Sequence, residues 1–311
     1  MRKLTFLAAA AATLLSACSQ QGPGESAPAT AGTAGGSAAS GTPVVGLALS
    51  TQNNPFFVEL KDGAQKAAKE AGVQLVVVDA QDDPARQISS VEDLIQKRVS
   101  VILLNPTDSS ALAGAVQSAQ RANIPVVTLD RGVDGAEVAS HIASDNVAGG
   151  KMAADYLAKA LGGKGNIIEL QGVAGTSAAR ERGKGFDDEV ATTGMKIVAS
   201  QPANFDRAQG LSVSENLLQG NPDVQAIFAQ NDEMALGAVQ ALAGKNKKVL
   251  VVGFDGTPDG KNAVQSGAMA ATVAQQPDEI GKLGVETAKK LIDKQPVEKS
   301  IAVPLKLLTK E

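Results

Sequence analysis

Amide, carboxylate, guanidinium and phenyl side chains recur directly after short apolar runs of this sequence. Carboxylates accept hydrogen bonds, guanidinium groups donate them, and amides do both. Hydrogen bonds to charged groups are the stronger kind, and a phenyl ring offers an apolar face to C–H groups. Together these groups match a neutral polyol, whose hydroxyls both donate and accept. The candidate residues are Asn54, Phe56, Phe57, Asn105, Asp130, Arg131, Arg182, Phe205, Asn231, Asp255 and Gln275.

Several candidates also have a purely structural interpretation. Asn54 precedes Pro55 and fits the N-cap of a helix, and Asn231 fits a second helix start. Asp130 and Arg131 fit a surface ion pair at a strand end, which contributes under about 1 kcal/mol. Each signal is weak when taken alone. Their convergence at one edge of two similar units favours the binding interpretation.

The apolar runs before the candidates are short, rich in β-branched residues and not alternating, which is typical of strands buried in a parallel sheet. Amphipathic segments between them predict helices at Pro55–Ala71, Pro84–Lys97, Ser109–Ala122 and Ala148–Ala160. This alternation predicts a doubly wound α/β fold, in which ligands bind beyond the carboxyl ends of the strands. The predicted strands are Val44–Leu49, Leu75–Val78, Val101–Leu104, Val126–Leu129, Ile167–Leu170, Ile197–Ala199, Val224–Ala229 and Leu250–Val252, and the apolar run Ala270–Ala274 precedes Gln275.

The α/β pattern occurs twice along the chain. One array runs from about Pro43 to Ser144 and a second from about Asp145 to Gln275. The chain has 311 residues, more than one hydrophobic core usually holds. We therefore expect two similar parallel-sheet lobes, and the periodicity leaves open which lobe the C-terminal segment joins.

The composition argues against several classes of function. The net charge is −4, whereas a nucleic-acid partner would favour a basic face. The chain has one cysteine, Cys18, and one histidine, His141, which excludes a clustered His/Cys metal site. No nucleophile–base pair stands out, and His141 lies in an apolar run, where a structural role is expected. We expect no enzyme activity, no metal and no other cofactor.

Residues 1–18 have the features of a signal peptide. Arg2 and Lys3 form a positive start, and the apolar stretch that follows is too short to span a bilayer. The sequence LSAC at 15–18 resembles a lipobox, which implies that Cys18 becomes the diacylated N-terminus. Residues 19–42, rich in Ala, Gly, Ser and Thr, predict a flexible tether. We expect a lipid-anchored extracytoplasmic protein; the alternative is a secretory signal with an incidental cysteine.

Several long runs resemble the type I periplasmic binding proteins, in particular their ribose-binding members. The likeness extends from about Val44 to the C-terminus. Because it rests on long runs and not on short patterns, it is highly specific. The runs are Asn53–Phe57, Asn105–Asp108, Thr128–Arg131, Ser140–Asn146, Gly175–Gly183, Gln201–Ala203, Phe205–Arg207, Phe228–Gly237 and Gly253–Gly260.

The resemblance implies D-ribose as the ligand and gives each candidate a role. The rings of Phe56, Phe57 and Phe205 would sandwich the sugar ring. The remaining candidates would bond its hydroxyls. They are Asn54, Asn105, Asp130, Arg131, Arg182, Asn231, Asp255 and Gln275.

The resemblance also implies a three-crossing hinge between the lobes, with the helix Asp278–Leu291 in the first lobe. The crossings are expected near 144–145, 275–276 and 304–305. The first lobe is then 43–144 plus 276–304, and the second is 145–275 plus 305–311.

The implied partner is the membrane permease of an ABC importer, driven by a separate ATPase and served by a monomeric binding protein. Whether a chemoreceptor also reads the closed form stays open. Alternative ligands are another sugar, such as allose or a furanose, and a signalling furanone. A LacI-type regulator shares the fold but needs an N-terminal helix-turn-helix, where this chain has the leader and tether. An enzyme acting on pentoses is the third class, and turnover of ribose would reveal it.

Overall fold

The computed structural model describes residues 41–245 and 248–310. The predicted signal peptide, the lipidation site Cys18 and residues 19–40 of the predicted tether lie outside the described residues. Within the described ranges, no helix is both long and apolar enough to cross a membrane. The backbone there forms two six-stranded sheets flanked by helices.

The first sheet combines five strands from the start of the described chain with one from near its end. Its strands are β1 (Val44–Leu49), β2 (Gln74–Asp79), β3 (Val101–Leu104), β4 (Val126–Leu129), β5 (Ser140–Ala143) and β11 (Ser300–Ala302). They lie in the order β11-β5-β4-β3-β1-β2, and all neighbours are parallel. β3 and β4 are buried at every position, as their mostly apolar, non-alternating sequences predict.

The second sheet repeats this topology. Its strands are β6 (Lys164–Gln171), β7 (Gly194–Pro202), β8 (Val224–Ala229), β9 (Leu250–Asp255), β10 (Ala271–Ala274) and β12 (Lys306–Thr309). They lie in the order β12-β10-β9-β8-β6-β7, and only β12 is antiparallel to its neighbour. The predicted fold of two doubly wound lobes is therefore confirmed. The chain passes between the sheets after β5, after β10 and after β11, while the exact residue bounds of the lobes stay a prediction.

Polar side chains start most helices of the described residues. The predicted N-cap of the first helix is present: Asn54 accepts a hydrogen bond from the N–H of Phe56, and Pro55 occupies the first turn. Gly72 ends the helix in a left-handed conformation. The helices are α1 (Pro55–Ala71), α2 (Pro84–Gln96), α3 (Ala113–Arg121), α4 (Asn146–Leu161), α5 (Ser177–Val190), α6 (Arg207–Gly220), α7 (Asp232–Leu242), α8 (Pro258–Ser266) and α9 (Pro277–Ile292).

The helix predicted at Ser109–Ala122 begins only at Ala113. The carboxylate of Asp108 accepts hydrogen bonds from the N–H groups two and three residues later and so closes a turn of its own. The N–H of Ser109 donates to the carbonyl oxygen of Gly175, in the second lobe. The start of the predicted helix is therefore held as a loop by a contact between the lobes.

Strands β5, β11 and β12 are absent from the sequence prediction because they are short and contain polar residues. β5 includes His141, whose Nδ1 lies 2.9 Å from the hydroxyl of Thr128 on β4. This cross-strand hydrogen bond agrees with the structural role expected for His141.

Helices cover both faces of each sheet with apolar side chains. In the first lobe, α1 and α9 pack on one face, and α2 and α3 on the other. In the second lobe, α4 and α5 pack on one face, and α6, α7 and α8 on the other. The loops at the carboxyl ends of the strands are left to face the other lobe.

Candidate functional site

A small cavity lies between the two lobes, at the carboxyl ends of their strands. Its lining residues come from both lobes. All the predicted ligand-binding residues except Asn105 and Gln275 line it, together with Ala178. The lining residues are Asn54, Phe56, Phe57, Asp130, Arg131, Ala178, Arg182, Phe205, Asn231 and Asp255.

Asp130 and Arg131 bring one charge of each sign to the cavity from the end of β4. The backbone of Asp130 is left-handed, with φ of 63°, which is uncommon for a residue other than glycine. The two side chains are buried, and Oδ2 of Asp130 lies 3.8 Å from Nε of Arg131. Neither Oδ1 of Asp130 nor Nε of Arg131 has a hydrogen-bond partner among the described residues. Such buried polar atoms are costly unless a ligand bonds to them.

Arg182, on α5, meets Asp255 at the end of β9. Its Nη1 lies 3.2 Å from Oδ1 of Asp255 and donates to the carbonyl oxygen of Gln230 at 2.7 Å. Its Nε donates to Oδ1 of Asn146 at 2.8 Å. The guanidinium carbon lies 3.9 Å from the centre of the Phe254 ring, a cation–π arrangement. These contacts fix the guanidinium group at the cavity wall.

The formal charges of the cavity cancel, because Asp130 and Asp255 balance Arg131 and Arg182. Burial raises the pKa of Asp130, and Arg182 and Arg131 oppose that rise. Burial also raises the pKa of Asp255, again opposed by Arg182, and lowers the pKa of Arg131. A ligand with a net charge would upset this balance, whereas neutral hydroxyl groups can bond to both signs.

Three phenyl rings complete the cavity wall. The rings of Phe56 and Phe57, in the first turn of α1, are edge to face, with centroids 5.2 Å apart. Phe205 comes from the second lobe, and the guanidinium carbon of Arg131 lies 5.0 Å from the Phe57 ring centre and 5.3 Å from that of Phe205. All three rings also belong to apolar clusters. They therefore serve the core and the cavity at once.

Asn54 and Asn231 cap helices and line the cavity. Oδ1 of Asn54 accepts from the N–H of Phe56 at 2.9 Å. Oδ1 of Asn231 accepts from the N–H of Met234 at 3.0 Å, and its Nδ2 donates to the carbonyl oxygen of Phe205 at 3.2 Å. The structural interpretation is thus confirmed for both residues, without removing either from the cavity wall.

Asn105 and Gln275 are buried but are not among the residues that line the cavity. Asn105 accepts a hydrogen bond from the hydroxyl of Ser50 at 2.7 Å and donates to the carbonyl oxygen of Leu129 at 3.0 Å. Gln275 donates to Oδ1 of Asp255 at 2.9 Å, and its own Oε1 has no partner among the described residues. In this arrangement both amides support their neighbours, and a direct bond to a ligand stays a prediction for each.

Sequence reasoning missed three residues of the site. Asn146 and Gln230 both hold Arg182, and Ala178 lines the cavity. Gln230 directly follows β8, so its position was available as a signal. Asn146 comes shortly after β5, a strand that the apolar pattern does not reveal, and the side chain of Ala178 carries no chemical signal.

The lobes contact each other directly beside the cavity. The hydroxyl of Ser177 accepts from the N–H of Gly132 at 2.9 Å, and the N–H of Ser177 donates to the hydroxyl of Ser109 at 3.1 Å. An ion pair joins Arg180 and Asp134, with 2.8 Å between Nη2 and Oδ2. Because each of these contacts joins the first lobe to the second, the lobes are closed over the cavity.

Two similar doubly wound lobes that close over a small polar cavity define a two-lobed solute-binding protein. The chain belongs to the periplasmic binding protein family, whose domain model matches residues 45–296. Membership of this family implies an extracytoplasmic location.

Relatives and solved structures cover most of the chain. It is 58% identical over 269 residues to the ribose import binding protein RbsB of Escherichia coli K12, which covers 86% of this chain and 90% of the relative. It is 56% identical over 278 residues to the protein of the same name from Haemophilus influenzae, with coverage of 89% and 95%. An ABC transporter periplasmic solute binding protein from Actinobacillus succinogenes 130z with bound D-allose has a TM-score of 0.82 at 36% identity, covering 86% of this chain and 98% of that structure.

Proposed function

We propose that this protein binds D-ribose between its lobes and delivers it to an importer in the membrane. The observation that carries the proposal is the closed cavity with two buried charge pairs and three phenyl rings. The charges cancel, donors and acceptors are both present, and the rings offer apolar faces. These features together suit a neutral monosaccharide.

The comparisons support ribose over a larger sugar, because the relatives at 58% and 56% identity are named for ribose import. D-allose, with one more carbon, is the second candidate because a structure at 36% identity contains it.

The proposed mechanism is closure of the hinge over the sugar. Ribose meets one lobe first, and closure then brings Asp130 and Arg131 of the first lobe together with Arg182 and Asp255 of the second. Exclusion of water makes every unmatched hydroxyl or site group costly, which gives specificity. The contact of Ser177 with the first lobe supports this mechanism. The sugar leaves chemically unchanged.

In the proposed transport cycle, lipid on Cys18 holds the protein at the membrane. The predicted tether of residues 19–42 would keep the lobes near a permease driven by a separate ATPase. More than one acyl chain is needed for a stable anchor, and a diacylated cysteine supplies two. The substitution Cys18→Ala should therefore release the protein from the membrane fraction. Unchanged membrane association of Cys18→Ala would contradict the anchor.

Isothermal titration calorimetry of the purified mature protein against a panel of sugars tests the ligand. The panel contains D-ribose, D-allose, D-arabinose, D-xylose and a furanose-forming hexose, and thermal unfolding is measured beside it. We expect the tightest binding and the largest rise in unfolding temperature with ribose, since ligand binding stabilises the folded state. Stabilisation by another sugar and none by ribose would overturn the assignment.

A further inference from the structure

Arg182 is oriented by Asn146, a residue outside the set that the sequence predicts to bind the ligand. Nε of Arg182 donates to Oδ1 of Asn146 at 2.8 Å. Nη1 is engaged by Gln230 and Asp255. Nη2 has no hydrogen bond to a described residue, which leaves it for a ligand. The guanidinium group is therefore held at two of its three nitrogens.

Asn146 is itself held at both ends of its amide. Its Nδ2 donates to Oε2 of Glu181 at 3.3 Å. The direction of the amide is unambiguous, because a guanidinium group only donates and a carboxylate only accepts. The side chain is buried, and its backbone begins α4 beside the capping residue Asp145. Asn146 is thus fixed where the chain first passes between the sheets.

We propose that Asn146 is a positioning residue that sets the rotation of the Arg182 guanidinium group and so selects the sugar hydroxyl that Arg182 recognises. The donors of a guanidinium group lie in one plane at fixed angles. Gln230 and Asp255 both bond to Nη1, so they constrain a single nitrogen. Asn146 holds Nε and so prevents the guanidinium plane from turning about Nη1. The inference rests on the proposed function.

The test compares the wild type with Asn146→Ala by calorimetry, using ribose and analogues that each lack one hydroxyl. The hydroxyl that Arg182 recognises is identified first, with the Arg182→Ala variant. Removal of that hydroxyl weakens binding to the wild type but does not weaken binding to Arg182→Ala. We expect Asn146→Ala to lower the affinity for ribose about tenfold. In Asn146→Ala, the fold-loss of affinity on removal of that hydroxyl should be smaller than in the wild type by about threefold or more. The fold-loss on removal of each other hydroxyl should be the same in both proteins.

Two further measurements separate positioning from support of the fold. In the Arg182→Ala background, Asn146→Ala should change the affinity by less than about twofold, because contacting residues that act as a unit are not additive. Glu181→Ala frees the amide of Asn146 without removing it and should give a smaller loss at the same hydroxyl. The matched control is Asn221→Ala, whose side-chain amide donates to the carbonyl oxygen of Leu217 within the second lobe, and it should bind ribose like the wild type.

Each outcome decides between the two interpretations of Asn146. An equal loss of affinity for ribose and every analogue, or an undiminished loss in the Arg182→Ala background, would show that Asn146 only supports the fold and would overturn the inference. Wild-type affinity in a folded Asn146→Ala protein would overturn it too. If Asn146→Ala does not fold, the hydroxyl profile of Glu181→Ala decides. A wild type that binds no ribose refutes the proposed function itself, which is a separate result.

Discussion

Nη1 of Arg182 lies 3.2 Å from Oδ1 of Asp255, and both side chains are only 4% exposed. Gln275 donates to the same carboxylate oxygen at 2.9 Å. Removal of one partner of a buried ion pair is strongly destabilising, because the other charge is left uncompensated. Ribose binding should therefore be sensitive to single substitutions on the second-lobe side of the cavity.

Arg182→Ala should weaken ribose binding by roughly 2–4 kcal/mol, because it leaves Asp255 and the sugar without a charged donor. Calorimetry measures this change directly. The control is Lys184→Ala on the same helix, where an exposed ion pair with Asp188 within the same lobe contributes under about 1 kcal/mol. Equal affinities of Arg182→Ala and the wild type would remove Arg182 from the binding site.

Ser177→Ala should speed the release of ribose, although Ser177 is not among the residues that line the cavity. In the closed arrangement the hydroxyl of Ser177 accepts from the N–H of Gly132 in the other lobe. Loss of one such hydrogen bond costs about 1 kcal/mol, which corresponds to a roughly fivefold faster dissociation in stopped-flow measurements. Ser118→Ala is the control, because its hydroxyl donates to the carbonyl oxygen of Gly114 and accepts from Nη2 of Arg121, both within the same lobe. Slower association at an unchanged dissociation rate would contradict a role in closure.

Most of the cavity lining could be predicted from the sequence because it follows well-marked strands. β3 and β4 are mostly apolar, non-alternating sequences and are buried at every position, so the position of Asp130 at a carboxyl edge follows directly. β9 is likewise almost entirely buried and ends at Asp255, which places that residue at the carboxyl edge of the second sheet. The types of these residues, acidic, basic, amide and aromatic, then indicated a neutral polyol.

The rest of the site depends on contacts between segments that are distant in sequence. The pattern of apolar residues along the chain does not predict such contacts. β11 pairs with β5 through residues 300–302 and 141–143, and neither strand is a continuous apolar run. Because β5 was not recognised, the position of Asn146 beside Arg182 was hidden. The late start of α3 has a similar cause, since Ser109 is bonded to the second lobe.

The stability of the second lobe should depend on pH through Asp232, the fully buried first residue of α7. Burial raises its pKa from 3.8 to about 6, although hydrogen bonds from Thr272 and Thr257 oppose the rise. The carboxyl is then protonated in both states below about pH 3.8 and ionised in both well above pH 6. Between these values only the unfolded state has lost the proton, so stability falls as the pH rises.

The comparison of the wild type with Asp232→Asn isolates this titration. Relative to the variant, the free energy of unfolding of the wild type should fall by on the order of 3 kcal/mol between pH 4 and pH 7. Urea unfolding at several pH values measures it, with all other carboxyl groups common to both proteins. Parallel pH curves for the two proteins would show that Asp232 keeps an ordinary pKa.

Gly281→Ala should destabilise the first lobe, because α9 crosses α1 there without room for a side chain. A Cβ at Gly281 would lie 2.0 Å from the carbonyl oxygen of Leu60, and backbone atoms of a packed helix cannot move aside locally. Overpacking usually costs about 1–3 kcal/mol, and we expect the upper end of that range despite the better helix propensity of alanine. Gly114→Ala on α3 is the matched control: nothing lies within 4 Å of its Cβ position, so alanine should be neutral or stabilise by up to about 1 kcal/mol. Denaturant unfolding of both variants checks the difference, and equal stabilities would mean that the two helices can separate without cost.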